Sequence, residues 1–171
     1  MPLSSRPLHV TFVCSGNICR SPMGEVILTR LLDEAGLSDR VIVSSSGVGD
    51  WHVGEPADPR TVDVLAAHGY DGSTHRASEF DPAQFDDIDL VLASDEGHVQ
   101  RLRRLARTRE HQDKIRLVRE FDAAAVAAGT LETSDPWYGD GEHFRRCFTE
   151  VEAACQGILE HVRGRLEMER R

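Results

Sequence analysis

Apolar positions along the chain follow two rhythms in alternation. Residues 9–13 form a short β-branched and aromatic run that predicts a strand. Residues 22–35 carry Met23, Val26, Ile27 and Leu31 at helical spacing, with Pro22 in the first turn and Gly36 as the stop. Residues 41–45 read as a second strand, and residues 58–68 as a helix closed by Gly69. Residues 88–93 are apolar except for Asp89, as expected of a strand in a sheet covered on both faces. Asp95 caps a helix through Leu105, residues 114–118 form a fourth strand, and residues 123–129 look like a helix end closed by Gly129. The last helix, residues 142–166, places Phe144, Cys147, Phe148, Val151, Cys155, Ile158 and Val162 on one stripe, and the charged residues beyond Arg163 are expected to fray.

Strands alternating with helices predict the α/β class: a doubly wound, three-layer α/β/α architecture around a central four-stranded parallel sheet. With no repeat or low-complexity linker, residues 1–171 are expected to form a single domain, with 1–7 and 167–171 loose at its ends. Parallel sheets of this kind bind ligands beyond the carboxyl ends of their strands, so the segment after the first strand is where chemistry is expected.

That segment, residues 14–22 (CSGNICRSP), places a thiol at Cys14 and a guanidinium at Arg20 with five residues between them. A loop of this length can turn successive backbone N–H groups inward as an anion nest, and the helix behind it adds its positive end. Gly16 and Asn17 accept the left-handed backbone such a nest needs. Arg20 can give two parallel bonds to phosphate oxygens. The same amides, Arg20 and the Ser21 hydroxyl favour the Cys14 thiolate, the form that attacks phosphorus without a metal. A second candidate is Asp135, in residues 134–140 (SDPWYGD), where Pro136 stiffens an extended backbone. It could protonate a leaving oxygen, with Trp137 and Tyr138 beside it as a wall. The glycine-bounded loop 49–54, with Trp51 and His52, is the candidate second wall, the lesser alternative being that Trp51 plugs the core locally.

Composition narrows the partners. A net charge of −9 argues against nucleic acid, which a broad basic surface would recruit. No apolar run reaches the ~20 residues of a membrane span, and the N-terminus lacks a signal-peptide pattern, so a cytoplasmic protein is expected. The four cysteines, Cys14, Cys19, Cys147 and Cys155, do not suggest a disulfide framework, and no Cys/His spacing suggests a metal.

The run VCSGNICRSPMGE closely resembles the signature of low-molecular-weight protein tyrosine phosphatases, here of a bacterial, actinobacterial-like type, and the similarity spans nearly the whole chain. The resemblance implies that Cys14 is the nucleophile, that Arg20 binds phosphate, and that Ser15, Gly16, Asn17, Ile18, Cys19 and Ser21 complete the phosphate loop. Asn17 would hold the loop's shape and Ser21 would stabilise the thiolate. Asp135 would donate a proton in the first step and activate water in the second. Trp137 stands where relatives often carry Tyr. His75 and Asp95 match supporting positions, though Arg76 and Ser78 depart from the usual pattern and His75 could be a surface residue. Cys19 matches a family cysteine that could form a reversible disulfide with Cys14, or simply pack under the loop. No cofactor and no metal are implied; the partners would be phosphotyrosine-containing proteins, and the chain a monomer or weak dimer. Three alternatives stay open: an arsenate reductase of the same fold, a phosphoarginine phosphatase, and a phosphopeptide-binding module without activity. Against them stand the core pattern of Cys147 and Cys155, Ile18 where phosphoarginine phosphatases carry Thr, and the presence together of Cys14, Arg20 and Asp135.

Overall fold

The computed structural model describes residues 6–170. Four strands, β1 (Leu8–Cys14), β2 (Val41–Gly47), β3 (Leu90–Ala93) and β4 (Ile115–Leu117), form one parallel sheet in the order β2-β1-β3-β4. The helices are α1 (Arg20–Glu34), α2 (Pro59–Ala67), α3 (Glu96–Leu105), α4 (Arg109–Asp113), α5 (Ala123–Ala128) and α6 (Gly141–Glu169). Two 3-10 turns, Pro82–Asp86 and Val118–Phe121, complete the path.

Successive strand residues point to opposite faces, so the sheet divides the core in two. Phe12, Leu90 and Leu92 face α1 and α6, where they meet Met23, Ile27, Leu28, Phe148 and Ile158. Val13, Val91 and Ala93 face the other way, toward Phe80, Phe85, Ile88, Val99 and Leu102. The expected stripe of the last helix is buried: Phe144, Cys147, Phe148, Val151, Cys155, Ile158 and Val162 are each at most 2 % exposed.

The differences from expectation lie at element ends. α1 begins at Arg20, two residues before Pro22; the proline remains in the first turn, where its missing N–H has no intrahelical role. β3 begins at Leu90 rather than at residue 88, because Asp89 turns its carboxylate to the His9 N–H and to Arg6. α6 does not fray after Arg163 but continues to Glu169, with Leu166 buried. At the other end Arg6 is ion-paired with Asp89 at 2.8 Å, while residues 1–5 lie outside the described residues. Residues 123–129 are not the end of a longer helix but a short helix of their own, capped by Asp122 and closed by Gly129 at φ 71°.

β1, β2 and β3 all end on the same edge of the sheet, at Cys14, Gly47 and Ala93. Gly47 is required there: a Cβ at this position would lie 2.7 Å from the Ser15 carbonyl oxygen. The loops leaving these ends build the site.

Candidate active site

The turn from β1 into α1 wraps around Asn17. Its backbone is left-handed, at φ 59°, the one non-glycine residue so placed among the described residues. A fully buried amide locks that conformation. Asn17 Nδ2 donates to Ser21 Oγ at 2.7 Å and to Ser45 Oγ at 2.9 Å, and its Oδ1 accepts from the Ser78 N–H at 2.9 Å. His75, buried rather than on the surface, donates from Nε2 to the Asn17 carbonyl at 2.7 Å. Ser78, which departs from the family pattern, thus supports the loop through its main chain.

Ser21 Oγ lies 2.9 Å from Cys14 Sγ. The hydroxyl oxygen accepts from Asn17, and its hydrogen has two acceptors in reach, the sulfur at 2.9 Å and the Ser46 carbonyl at 3.4 Å; turned to the nearer sulfur it suits a sulfur anion. Among the described residues, no protein acceptor takes a hydrogen from the backbone N–H of Ser15, Gly16, Asn17, Ile18 or Cys19. Five unpaired amides in one tight turn are a concentration of donors that an anion can satisfy.

Arg20 is 4 % exposed and held from behind, with Nη1 donating to Asp95 Oδ2 at 3.0 Å and to the Thr133 carbonyl at 3.2 Å. Burial works against its charge, yet Cys14, Asp135 and Asp95 raise its pKa overall. Asp95 caps α3 by accepting the His98 N–H at 3.0 Å. Burial would raise the Asp95 carboxyl, but His98 and Arg20 outweigh it and hold the group below its ordinary value.

His98 is a functional neighbour that the sequence reading missed. Its Nδ1 accepts the Asp95 N–H at 3.3 Å, so Nε2 carries the ring hydrogen and donates to Ser15 Oγ at 2.8 Å. Burial pushes His98 down to about 4, which keeps it neutral, as this arrangement requires. The signal available was Asp95 followed three residues later by a histidine at a helix start, which reads as an ordinary cap.

Above this floor opens a cavity of about 340 Å³ lined by Cys14, Ser15, Gly16, Ile18, Cys19, Arg20, Trp51, His52, Asp135, Trp137 and Tyr138. Both expected walls and the candidate acid therefore meet the cysteine loop, whereas Asn17, Ser21, His75 and Asp95 support it from outside the cavity lining. Trp51 is 68 % exposed, a rim residue and not a core plug. The walls touch across the mouth, His52 and Trp137 having ring centroids 5.7 Å apart. Asp135 Oδ2 stands 3.6 Å from Arg20 Nη2, and its Oδ1 accepts the Trp137 N–H at 3.1 Å.

All four cysteines are free thiols. Burial, and then the negative charge of Asp58, push Cys19 up to about 12; burial also raises Cys147 and Cys155. Among the described residues no three His, Cys, Asp or Glu side chains group as a metal site, and no helix is long and apolar enough to cross a membrane.

Comparison with known proteins gives this geometry a family. The chain is 49% identical over 159 residues to a low molecular weight protein-tyrosine-phosphatase of Streptomyces coelicolor, covering 93% of this chain and 96% of that one. It is 43% identical over 162 residues to low molecular weight protein-tyrosine phosphatase A of Mycobacterium tuberculosis, covering 95% and 96%. A crystal structure of a protein tyrosine phosphatase from Entamoeba histolytica, with Hepes in the active site, superposes with a TM-score of 0.85 at 27% identity, covering 92% of this chain and 97% of that one. Residues 9–168 match the model of the low molecular weight phosphotyrosine protein phosphatases, and the chain belongs to that family.

Proposed function

We propose that the cavity hydrolyses phosphotyrosine monoesters of proteins in two steps through a phosphocysteine on Cys14. The observation that carries this reading is the concentration of donors on the turn that begins at Cys14: five loop amides without a protein acceptor and a buried guanidinium, with Asp135 lining the same cavity. Asp95 and Thr133 occupy Nη1 of Arg20, which leaves Nε and Nη2 as a fork for two phosphate oxygens. The loop amides serve the same oxygens, and all of these donors are in place before charge shifts in the transition state.

In the first step the Cys14 thiolate attacks phosphorus in line. The sulfur–phosphorus bond forms as the phosphorus–oxygen bond to the tyrosine ring breaks, and Asp135 gives its proton to the departing phenolate. In the second step Asp135, now a carboxylate, takes a proton from water as that water attacks phosphorus; inorganic phosphate leaves and the sulfur regains its electron pair. The Ser21 hydrogen then stabilises the returning thiolate. Depth supplies selectivity: Ile18, Trp51, Trp137 and Tyr138 form apolar walls that accept an aryl ring, and a short alkyl ester does not carry its phosphate down to Cys14.

Rapid-quench labelling with phosphotyrosine peptides carrying radioactive phosphate tests this. The expected result is a covalent phosphate on residue 14, with both label and turnover lost in Cys14→Ser. Arg20→Lys should lose most activity, because an ammonium cannot form the fork. Turnover that survives in Cys14→Ser, or a label on any other residue, overturns the reading.

A further inference from the structure

The segment bearing Asp135 is pinned differently on its two sides. Before the aspartate, the Thr133 N–H donates to the Ser94 carbonyl at 2.8 Å and the Ser134 N–H to Glu150 Oε1 at 3.0 Å. Glu150 is buried and paired with Arg119 at 3.2 Å, so this side is anchored in the interior. After the aspartate and the buried Pro136, residues 137–139 cross the surface, with Trp137 39 % and Tyr138 91 % exposed. Among the described residues, one side chain from outside the segment hydrogen-bonds it there: Arg60, the second residue of α2. Its Nη1 donates to the Gly139 carbonyl at 3.2 Å and its Nη2 to the Trp137 carbonyl at 3.4 Å. Its guanidinium carbon also lies 5.8 Å from the Trp137 ring centroid and 4.4 Å from that of Phe144, so it is sandwiched as well as bonded.

The guanidinium is itself aimed. Nε donates to Asp58 Oδ1 at 3.0 Å and Nη2 to Asp58 Oδ2 at 2.9 Å, a two-pronged pair with a carboxylate that is largely buried. The Asp58 N–H in turn donates to the carbonyl of Ile18, inside the cysteine loop, at 2.9 Å. A continuous set of contacts therefore runs from Ile18 through Asp58 and Arg60 to Trp137 and Gly139, joining the segment that holds phosphate to the one that holds Asp135. An ion pair whose cation is partly exposed usually adds little to stability. This one has a different use, because it fixes a distance.

We propose that Arg60 is a positioning residue for proton delivery: it sets where the Asp135 carboxyl stands over the phosphate loop and does not itself bind phosphate. The proposal rests on the reading of Asp135 as the acid. Positioned acids contribute rate in proportion to the basicity of the oxygen they protonate, and a carboxyl displaced by about an ångström loses much of that contribution.

The experiment is a series of aryl phosphates graded by leaving-group basicity, from phenyl to dinitrophenyl, in single-turnover phosphorylation of the enzyme. The proteins are wild type, Arg60→Met, Asp58→Asn, Asp135→Asn and the double variant Arg60→Met/Asp135→Asn. Asp58→Asn keeps the cap of α2 while loosening the guanidinium, so it guards against a general packing effect of the methionine. Arg60→Met should slow phenyl phosphate on the order of tenfold and the dinitrophenyl ester hardly at all. Asp58→Asn should show a weaker form of the same slope, and in the Asp135→Asn background Arg60→Met should cost nothing further. A uniform loss across the series, no loss, or a loss that adds to that of Asp135→Asn overturns the role of Arg60. If Asp135→Asn itself shows no dependence on leaving group, the acid assignment fails and the role of Arg60 fails with it.

Discussion

His98 shows how one side chain can tie catalysis geometry to stability. In the unfolded chain its imidazole titrates near the ordinary value of about 6.5, whereas burial in the fold pushes it down to about 4. As pH falls below about 6.5 the unfolded state takes up the proton first, so the stability due to this group is complete above that pH, declines down to about 4, and is flat below. Between about pH 7.5 and pH 5 the loss amounts to about 2 kcal/mol. Urea unfolding of wild type and His98→Asn at both pH values checks it: the variant should lose about 2 kcal/mol less than wild type over that interval. Parallel losses in the two proteins would show that His98 titrates normally in the fold. Asparagine is chosen because its Oδ1 stands near the place of the imidazole Nδ1 and can still accept the Asp95 N–H. The contact to Ser15 spans 83 residues of sequence and links two ordinary-looking polar positions, so no local pattern announces it. Cys14 and Arg20 were legible as candidates for the opposite reason: as the last residue of β1 and the first of α1 they flank one short loop, where residue types and spacing can be read together.

α6 contains two glycines whose replacement should have opposite effects. A Cβ on Gly157 would overlap the Phe121 carbonyl, where the helix packs on the 3-10 turn Val118–Phe121. At Gly164 no heavy atom lies within 4 Å of that position. In a helix interior alanine is favoured over glycine by roughly 0.5–1 kcal/mol, while forcing a methyl into packed backbone costs roughly 1–3 kcal/mol. Gly157→Ala should therefore lower the urea midpoint and Gly164→Ala should raise it, both with an unchanged denaturant slope. A stabilised Gly157→Ala would mean that the helix and the turn do not pack closely. The long elements were readable because apolar stripes repeat over several turns, as in α6. α4, α5 and the 3-10 turns are too short to show a period or to be stable alone; caps such as Thr108 and Asp122 and the packing around them create these elements. The end of α6 was misjudged because the charged run after Arg163 hides Leu166, which is buried.

The order β2-β1-β3-β4 puts β1 between the strand that follows it and the strand reached by crossing back, so the crevice opens where β1 and β3 part. Alternating elements predicted a parallel sheet, but nothing in the chain tells which strand pairs with which; that order is what brings Asp95, on the loop after β3, behind Arg20, at the start of α1. Once the site is assembled, the charge of the protein acts on whatever approaches it. A net charge of −9 surrounds the cavity proposed to take a phosphate dianion, and Asp50 and Asp140 on the two wall segments, with Glu55 next to the first, are exposed. The attraction of the cradle is short-ranged and buried, whereas the repulsion is long-ranged and screened by salt over a Debye length of ~20 Å at 20 mM and ~7 Å at 200 mM. Raising sodium chloride between those concentrations should therefore increase kcat/KM by about threefold for a phosphotyrosine peptide with acidic flanks and decrease it for one with arginine flanks. kcat at saturation should stay constant, since screening alters encounter and not the bound complex. Equal salt responses for the two peptides would mean that local contacts at the rim, and not the field of the protein, govern approach.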